Sequence, residues 1–560
     1  MNDSTPAVPE RIDKIVAKLG LPADEVEPCG WFKGKFALGM GARYADKPKG
    51  KYVGVTAINP TPLGEGKTAT AIGLSMALCR LGHRAVATLR QPSQAPVFGI
   101  KGGGAGGGRA TLLPFNDINL HFTGDLHAIA AAHNLLAALI DNHLKRGKKP
   151  QLDPSSLTWR RVIDVSDKSL AQITTGPGDA IHPLERRTGF DLTAASEIMA
   201  IIALATGMED LKARLARIVV GQTAAGDPVS AEDLGAAGAM AALLRDAVRP
   251  NLAQTAEHTP AIVHAGPFGN IAHGNSSVLA DLTALPIAEY VITESGFGAD
   301  CGAEKLFHIK CRASGLSPDV EVLVCTVRGL KLQSGLFQVK PGRPLPPELL
   351  AENLDALRTG AVNLQAHLDI LRLFGIPVVV AINRFPTDSD RELALLRSIA
   401  TDQGAETVAV SDVFANGGAG GEELARAVVE ACRKPARFRM LYTLEMSAEE
   451  KMETLAKRVY GADGIDLAPR AAQQLNRFRE IGFGQLPICI AKTQYSLSHD
   501  PKLLGRPRGY RFPIRDVRLS AGAGFLYALA GEISTMPGLP AEPKAYRIGL
   551  DFDGNITGLT

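Results

Sequence analysis

Lys67 and Thr68 close the run Thr61-Pro62-Leu63-Gly64-Glu65-Gly66-Lys67-Thr68, whose residue types suit phosphate chemistry. A phosphate is best held by backbone N–H groups pointing inward, and that curvature requires residues without clashing side chains. Gly64 and Gly66 supply the freedom, Lys67 supplies a point charge for terminal phosphate oxygens, and the Thr68 hydroxyl can ligate Mg²⁺. The usual nucleotide-loop pattern has Gly six residues before the lysine, and Thr61 stands there instead. A bare glycine turn is the competing reading. The setting favours phosphate: Tyr52–Ile58 reads as a buried strand, 59–66 as a Pro/Gly loop, and Thr68–Leu81 as an Ala/Leu-rich helix stopped by Gly82.

Arg90 is the second candidate. It ends the next predicted strand, Arg84–Arg90, so a parallel sheet puts it at the same edge as the loop. A guanidinium there can grip two oxygens of a phosphoryl or carboxylate group, although an exposed strand-end arginine explains the placement equally well. The glycine tract Gly99–Gly108, with Lys101 inside it, reads either as an anion cradle or as a close-packed loop. His121, Asp125 and His127 form a loose metal-like spacing without a firm third ligand, which favours capping or core packing. Phe385 and Pro386 follow one predicted strand, and Phe414 precedes the glycine-rich 416–421. Each aromatic reads as core or as the wall of a pocket for a flat ligand.

These candidates depend on elements that hold them together. Strands predicted at Ala261–His264, Tyr290–Thr293, Glu321–Val327 and Pro377–Ile382 alternate with helices around Asp125–Leu144, Ala194–Ala205 and Met208–Arg217. That alternation predicts an α/β protein with mainly parallel sheets, and the first strand–helix–strand crossover should be right-handed. The 560 residues suggest about three domains. With 45% hydrophobic residues and a net charge of +3, the chain has the apolar content for a sizeable core. Its charge balance gives no reason to expect a nucleic-acid or membrane partner. The first 18 residues lack an apolar leader core, no stretch approaches the length of a membrane span, and the seven cysteines are scattered without a Cys-x-x-Cys pair. A cytoplasmic location follows as the expectation.

Longer motifs carry a resemblance. Thr61–Thr68 is followed by Leu89-Arg-Gln-Pro-Ser93, Phe98-Gly-Ile-Lys-Gly-Gly103, Ile118-Asn-Leu-His-Phe-Thr-Gly-Asp125 and Thr158-Trp-Arg-Arg-Val162. Gly266-Pro-Phe-Gly-Asn-Ile-Ala-His-Gly274, Gly296-Phe-Gly-Ala-Asp300, Phe385-Pro-Thr-Asp388, Tyr460-Gly-Ala-Asp-Gly464, Ala491-Lys-Thr-Gln-Tyr495 and Met536-Pro-Gly-Leu-Pro540 come after, in order. Together they resemble the formate–tetrahydrofolate ligase (10-formyltetrahydrofolate synthetase) family. The resemblance implies ATP, formate and tetrahydrofolate as substrates, formyl phosphate as intermediate, Mg²⁺, a monovalent cation (K⁺ or NH₄⁺) as activator, and a homotetramer. It assigns Thr61–Thr68 to ATP, Lys67 and Arg90 to catalysis with Arg90 on formyl phosphate, Thr68 to Mg²⁺ with ATP, and Phe385, Pro386 and Phe414 to the pterin. It further implies a discontinuous P-loop NTPase-like nucleotide domain (1–103 and 236–354), an inserted α/β domain (104–235), and a C-terminal α/β domain (355–560) contributing to the folate site. Five residues depart from the commonest family pattern: Gln91 for Glu, Arg109 for Tyr, Phe414 for Trp, and, within one segment, Gly329 for Ala and Gln333 for His.

Overall fold

The computed structural model describes residues 7–62, 64–101, 103–176, 185–269, 271–339, 345–531 and 534–559. Leu63, assigned above to the nucleotide loop, lies outside them. Seven parallel strands form the body of the large sheet: β1 (Lys51–Ala57), β2 (Ala85–Leu89), β3 (Pro260–Val263), β4 (Tyr290–Gly298), β5 (Val320–Cys325), β6 (Val378–Asn383) and β7 (Thr407–Ser411). Their spatial order is β3-β2-β4-β1-β5-β6-β7, every neighbour parallel. An antiparallel strip, Asn251–Thr255 with Gly34–Phe36, Val26–Pro28 and Ala110–Leu113, extends the β3 side. The expected α/β class with a mainly parallel sheet is therefore observed. The sheet takes in β6 and β7, both beyond residue 354, and smaller sheets at 464–467 with 511–514 and at 488–491 with 516–529 follow.

Strand residues alternate between two covered faces, as a parallel sheet requires. Val53, Val55 and Ala57 of β1 join Val322, Val324, Val379 and Ala381 in one apolar cluster. Tyr52 and Ile58 join Leu323, Cys325, Val380 and Ile382 in the cluster on the opposite face. On the first face lies α1 (Lys67–Arg80), buried along Ala69–Leu78. Gly73 lets it approach the segment after β7 closely, since a Cβ there would meet Val413 Cβ at 2.4 Å.

Two short helices complete the frame. α2 (Val327–Gln333) follows β5, capped by the Thr326 side chain, which accepts from Gly329 N–H at 2.9 Å. α3 (Asp390–Asp402) follows β6 and opens with a Ser389/Glu392 capping box. Lys331 Nζ meets Glu392 Oε1 at 2.9 Å with both side chains out of water, which locks α2 to α3. Removing one partner strands a buried charge. Lys331→Met should therefore lower stability by about 3–5 kcal/mol in urea titration, whereas exposed pairs such as Arg358–Asp355 contribute little.

Candidate functional site

All seven parallel strands end on one edge of the sheet, so the segments following β1, β2, β5, β6 and β7 meet there. Thr61, Pro62 and Gly64–Gly66, Arg90, Thr326 and Arg328, Phe385, and Phe414 occupy those segments in turn. Ligands of open α/β sheets bind at this edge because helix N-termini and free strand-end groups converge on it.

The loop after β1 is closed by its own carboxylate. Glu65 is buried; its Oε1 accepts the Thr61 backbone N–H at 2.6 Å, and its Oε2 accepts the Thr326 hydroxyl. Asn383 at the end of β6 donates through Nδ2 to the Glu65 carbonyl at 2.9 Å. Gly66 has φ +75° as the residue preceding α1, and a Cβ on it would lie 2.3 Å from Asn383 Nδ2. Glycine is required at that position by conformation and by space. Glu65 thus acts here as an internal brace of the loop. Gly329 matters for the same brace, because a Cβ there would come within 2.8 Å of Glu65 Oε2 and 2.7 Å of Thr326 Oγ1.

Lys67 and Thr68 open α1, where free N–H groups and the helix dipole favour an anion. Thr68 Oγ1 donates to Glu294 Oε2 of β4 at 3.1 Å, and Glu294 Oε1 lies 3.9 Å from Arg90 Nη2. One carboxylate therefore stands between the helix start and Arg90. Burial pushes the Lys67 ammonium down to about 8, partly offset by Glu294 and Glu65 and reinforced by Lys101 and Arg90. Arg90 donates to the Pro267 carbonyl at 3.3 Å, while its buried Nε has no partner. The wall around it comes from two of the longer motifs: Gly296 N–H donates to the Gly274 carbonyl at 2.9 Å, and a Cβ on Gly296 would crowd the guanidinium at 3.2 Å. Next to it Phe297 has φ +62°, rare for an aromatic residue and typical of strain held at functional sites.

The aromatic candidates share the edge on adjacent strands, linked by Arg384 N–H donating to the Ser411 carbonyl at 2.9 Å. Phe385 is half-buried and fixed by Asp388, whose carboxylate accepts the Phe385 N–H at 2.8 Å; Pro386 is exposed. Phe414 is 56% exposed. Phe385 packs against Arg328, with the guanidinium carbon 3.6 Å from the ring centroid. Phe414 rests on the far part of the glycine tract, where Arg109 N–H donates to its carbonyl at 2.9 Å and a Cβ on Gly107 would touch its ring at 3.1 Å. That half of the tract is a close-packed hairpin, Gly106–Gly107 against Ala110–Thr111.

Other candidates fall elsewhere. Asp125 is paired with Lys35 at 2.8 Å and accepts from Asn251, His121 lies beside Gln94, and His127 is exposed. Among the described residues no group of three His, Cys, Asp or Glu side chains could hold a metal. Gln333 accepts Gly505 N–H at 2.9 Å, so it docks a C-terminal loop on α2. Glu294 and Arg328 were not singled out from sequence. The signal for Glu294 was an acidic residue directly after the apolar run Tyr290–Thr293; for Arg328 it was an arginine just past the end of β5.

The arrangement defines a mixed α/β protein whose glycine loop, helix start and strand-end arginine converge at the carboxyl edge of a mainly parallel sheet. The formate–tetrahydrofolate ligase family model matches residues 3–560, and the chain belongs to that family. It is 57% identical to a formate–tetrahydrofolate ligase of Roseiflexus sp. (strain RS-1) over 549 residues, 98% of this chain and 97% of the relative. A ligase of the same name from Saccharopolyspora erythraea is 54% identical over 549 residues, with the same coverage of both chains. One from Chloroflexus aggregans is 52% identical over 558 residues, 98% of each chain. No helix among the described residues is long and apolar enough to cross a membrane.

Proposed function

We propose that this protein ligates formate to tetrahydrofolate with ATP, giving 10-formyltetrahydrofolate, ADP and phosphate, through formyl phosphate. The observation that carries the reading is the chain of contacts from Thr68 through Glu294 to Arg90 at the start of α1, beside Lys67, whose ammonium feels the charges of Glu294 and Arg90. Formate is a poor acyl donor. Its oxygen attacks the γ-phosphorus, the bond from that phosphorus to the bridging oxygen breaks, and ADP departs. The N10 amine then attacks the formyl carbon, phosphate leaves, and the amine proton is released. Both steps gain from positioning and from neutralising phosphoryl charge.

The loop acts as a P-loop: the N–H groups at the start of α1, with Thr61, Pro62, Gly64, Glu65 and Gly66 shaping the turn, hold ATP phosphates. Lys67 neutralises the transferring group and Arg90 grips the acyl phosphate. The Thr68 hydroxyl and the Glu294 carboxylate form a hard-oxygen pair that suits Mg²⁺. They would hold it with the nucleotide phosphates, where the ion supplies charge neutralisation. Phe385 with Pro386 on one side and Phe414 on the other supply flat surfaces for the pterin. Activation by K⁺ or NH₄⁺, a homotetramer and a cytoplasmic location belong to the same proposal and rest on family resemblance and composition. Of the domain bounds 1–103 with 236–354, 104–235 and 355–560 that the resemblance implies, the one at 354/355 falls within the large sheet, because β6 and β7 belong to it.

The test is purified protein with Mg-ATP, tetrahydrofolate and K⁺, with and without formate. Acid quenching cyclises the product to its methenyl form, read by absorbance. Signal requiring both formate and ATP is the expected result; its absence with nucleotide bound would reject the reading. Phe414→Ala should raise the tetrahydrofolate KM by about 5- to 150-fold, the equivalent of about 1–3 kcal/mol for one stacking face, and leave the KM for ATP unchanged. An unaltered folate KM would remove Phe414 from the pterin site.

A further inference from the structure

Arg328 touches both halves of the site. Its Nη2 donates to the Gly64 carbonyl of the loop at 3.1 Å, and its guanidinium lies against Phe385 with Cζ 3.6 Å from the ring centroid. That separation places a cation on the aromatic face at stacking range. The guanidinium's Nε is buried without a partner, so the side chain is held by the loop and the ring. Its backbone is fixed as well. Arg328 sits in the first turn of α2, whose Thr326 cap grips the next loop residue through Glu65 and whose Lys331 is locked to Glu392. On the other side, Asp388 pins the Phe385 N–H, and Asn383, two residues earlier, holds the Glu65 carbonyl. Gly64 is thus fastened to the segment that carries Arg328, and Glu65 both to that segment and to the one that carries Phe385.

We infer that Arg328 is a positioning residue that couples the phosphate loop to the aromatic wall, so that nucleotide in the loop and a flat heteroaromatic ligand on Phe385 strengthen each other's binding. The inference rests on the assignment of ATP to the loop and of the pterin to Phe385. Nucleotide binding orders the Gly64 peptide, whose carbonyl sets the guanidinium, and the guanidinium sets the plane and electron density of the ring. A pterin stacked on the free face meets a ring already fixed from behind. By linkage the effect is reciprocal: each ligand must raise the other's affinity by the same factor.

The experiment is a binding cycle on the full-length protein with a non-hydrolysable ATP analogue, Mg²⁺ and tetrahydrofolate, without formate. Wild type should bind tetrahydrofolate at least about 5-fold more tightly when the analogue is present, the lower end of typical coupling. Arg328→Met keeps the length and apolar stem but loses the donor and the charge, and should bring that factor below about 2. Arg328→Lys keeps the charge and should recover part of it. Analogue binding by each variant alone reports that the loop still folds, and a loss of stability alone would weaken both ligands without changing their mutual factor. An unchanged factor in Arg328→Met, or no coupling in wild type, would overturn the inference. Failure of the functional reading is separate: it would show as wild-type protein that forms no formate-dependent product.

Discussion

Lys67→Ala should lower kcat for the complete reaction by about 10³-fold or more, equivalent to about 4 kcal/mol of transition-state stabilisation. In the loop the ammonium stands at the mouth of α1, within the field of Glu294 and Glu65. Formate-dependent release of ADP and the reverse synthesis of ATP from formyl phosphate and ADP should fail together, because both pass through the same charged phosphoryl group. The same site predicts a pH profile. With the ammonium pushed down to about 8 by burial, the free protein holds it charged below that pH and loses it as pH rises through about 8. Since kcat/KM reports the free enzyme, kcat/KM for ATP should fall above about pH 8, and saturating ATP should move that fall to higher pH. A kcat/KM flat up to pH 10, or a Lys67→Ala variant within 10-fold of wild type, would remove Lys67 from the phosphoryl-transfer step.

The parts legible in the sequence are those whose cause is local. Tyr52–Ile58 is a mainly apolar run between Lys51 and Asn59, and the strand spans Lys51–Ala57, while Gly64 and Gly66 announce a turn whose backbone only they adopt readily. Lys67–Arg80 follows from Ala and Leu content, within one residue of the expected start and end. The site's longer connections were illegible because strand order is not sequence order. β4 lies between β1 and β2 although about 200 residues of chain separate it from either, and so Glu294 meets Thr68 across 226 positions. The strand itself runs past the expected Thr293 to Gly298, because a register shift lets Gly298 pair with Ala57. Glu65 shows the opposite case: its place in the loop was plain, but its task of bracing Thr61 depends on Thr326, brought alongside by β5. Arg109 and Gln333 stand in the sequence as departures from the commonest family pattern, with no indication of what they touch. In the structure Gln333 fastens Gly505 to α2, and Arg109 lies on the hairpin beneath Phe414.

Arg90→Ala should reduce kcat by about 10²- to 10³-fold, the effect of deleting one preorganised donor from an oxyanion site, while the affinity for ATP changes little. The structure holds the guanidinium from two sides, Nη1 donating to the Pro267 carbonyl and Nη2 facing Glu294, and leaves the buried Nε without a partner. An unpaired buried donor costs about 1–3 kcal/mol, which a ligand oxygen arriving at Nε would recover. Gly296 keeps the space beside it open, because any side chain there would press on the guanidinium. A lysine retains the charge but has no planar fork, so Arg90→Lys should remain at least about 10-fold impaired. The half-reactions separate the two sites this arginine could serve. If it grips formyl phosphate, Arg90→Ala slows formyl transfer from synthetic formyl phosphate to tetrahydrofolate as much as it slows ADP formation. If only the ATP-dependent half suffers, Arg90 belongs to the nucleotide and the acyl phosphate must be held by other donors at the sheet edge.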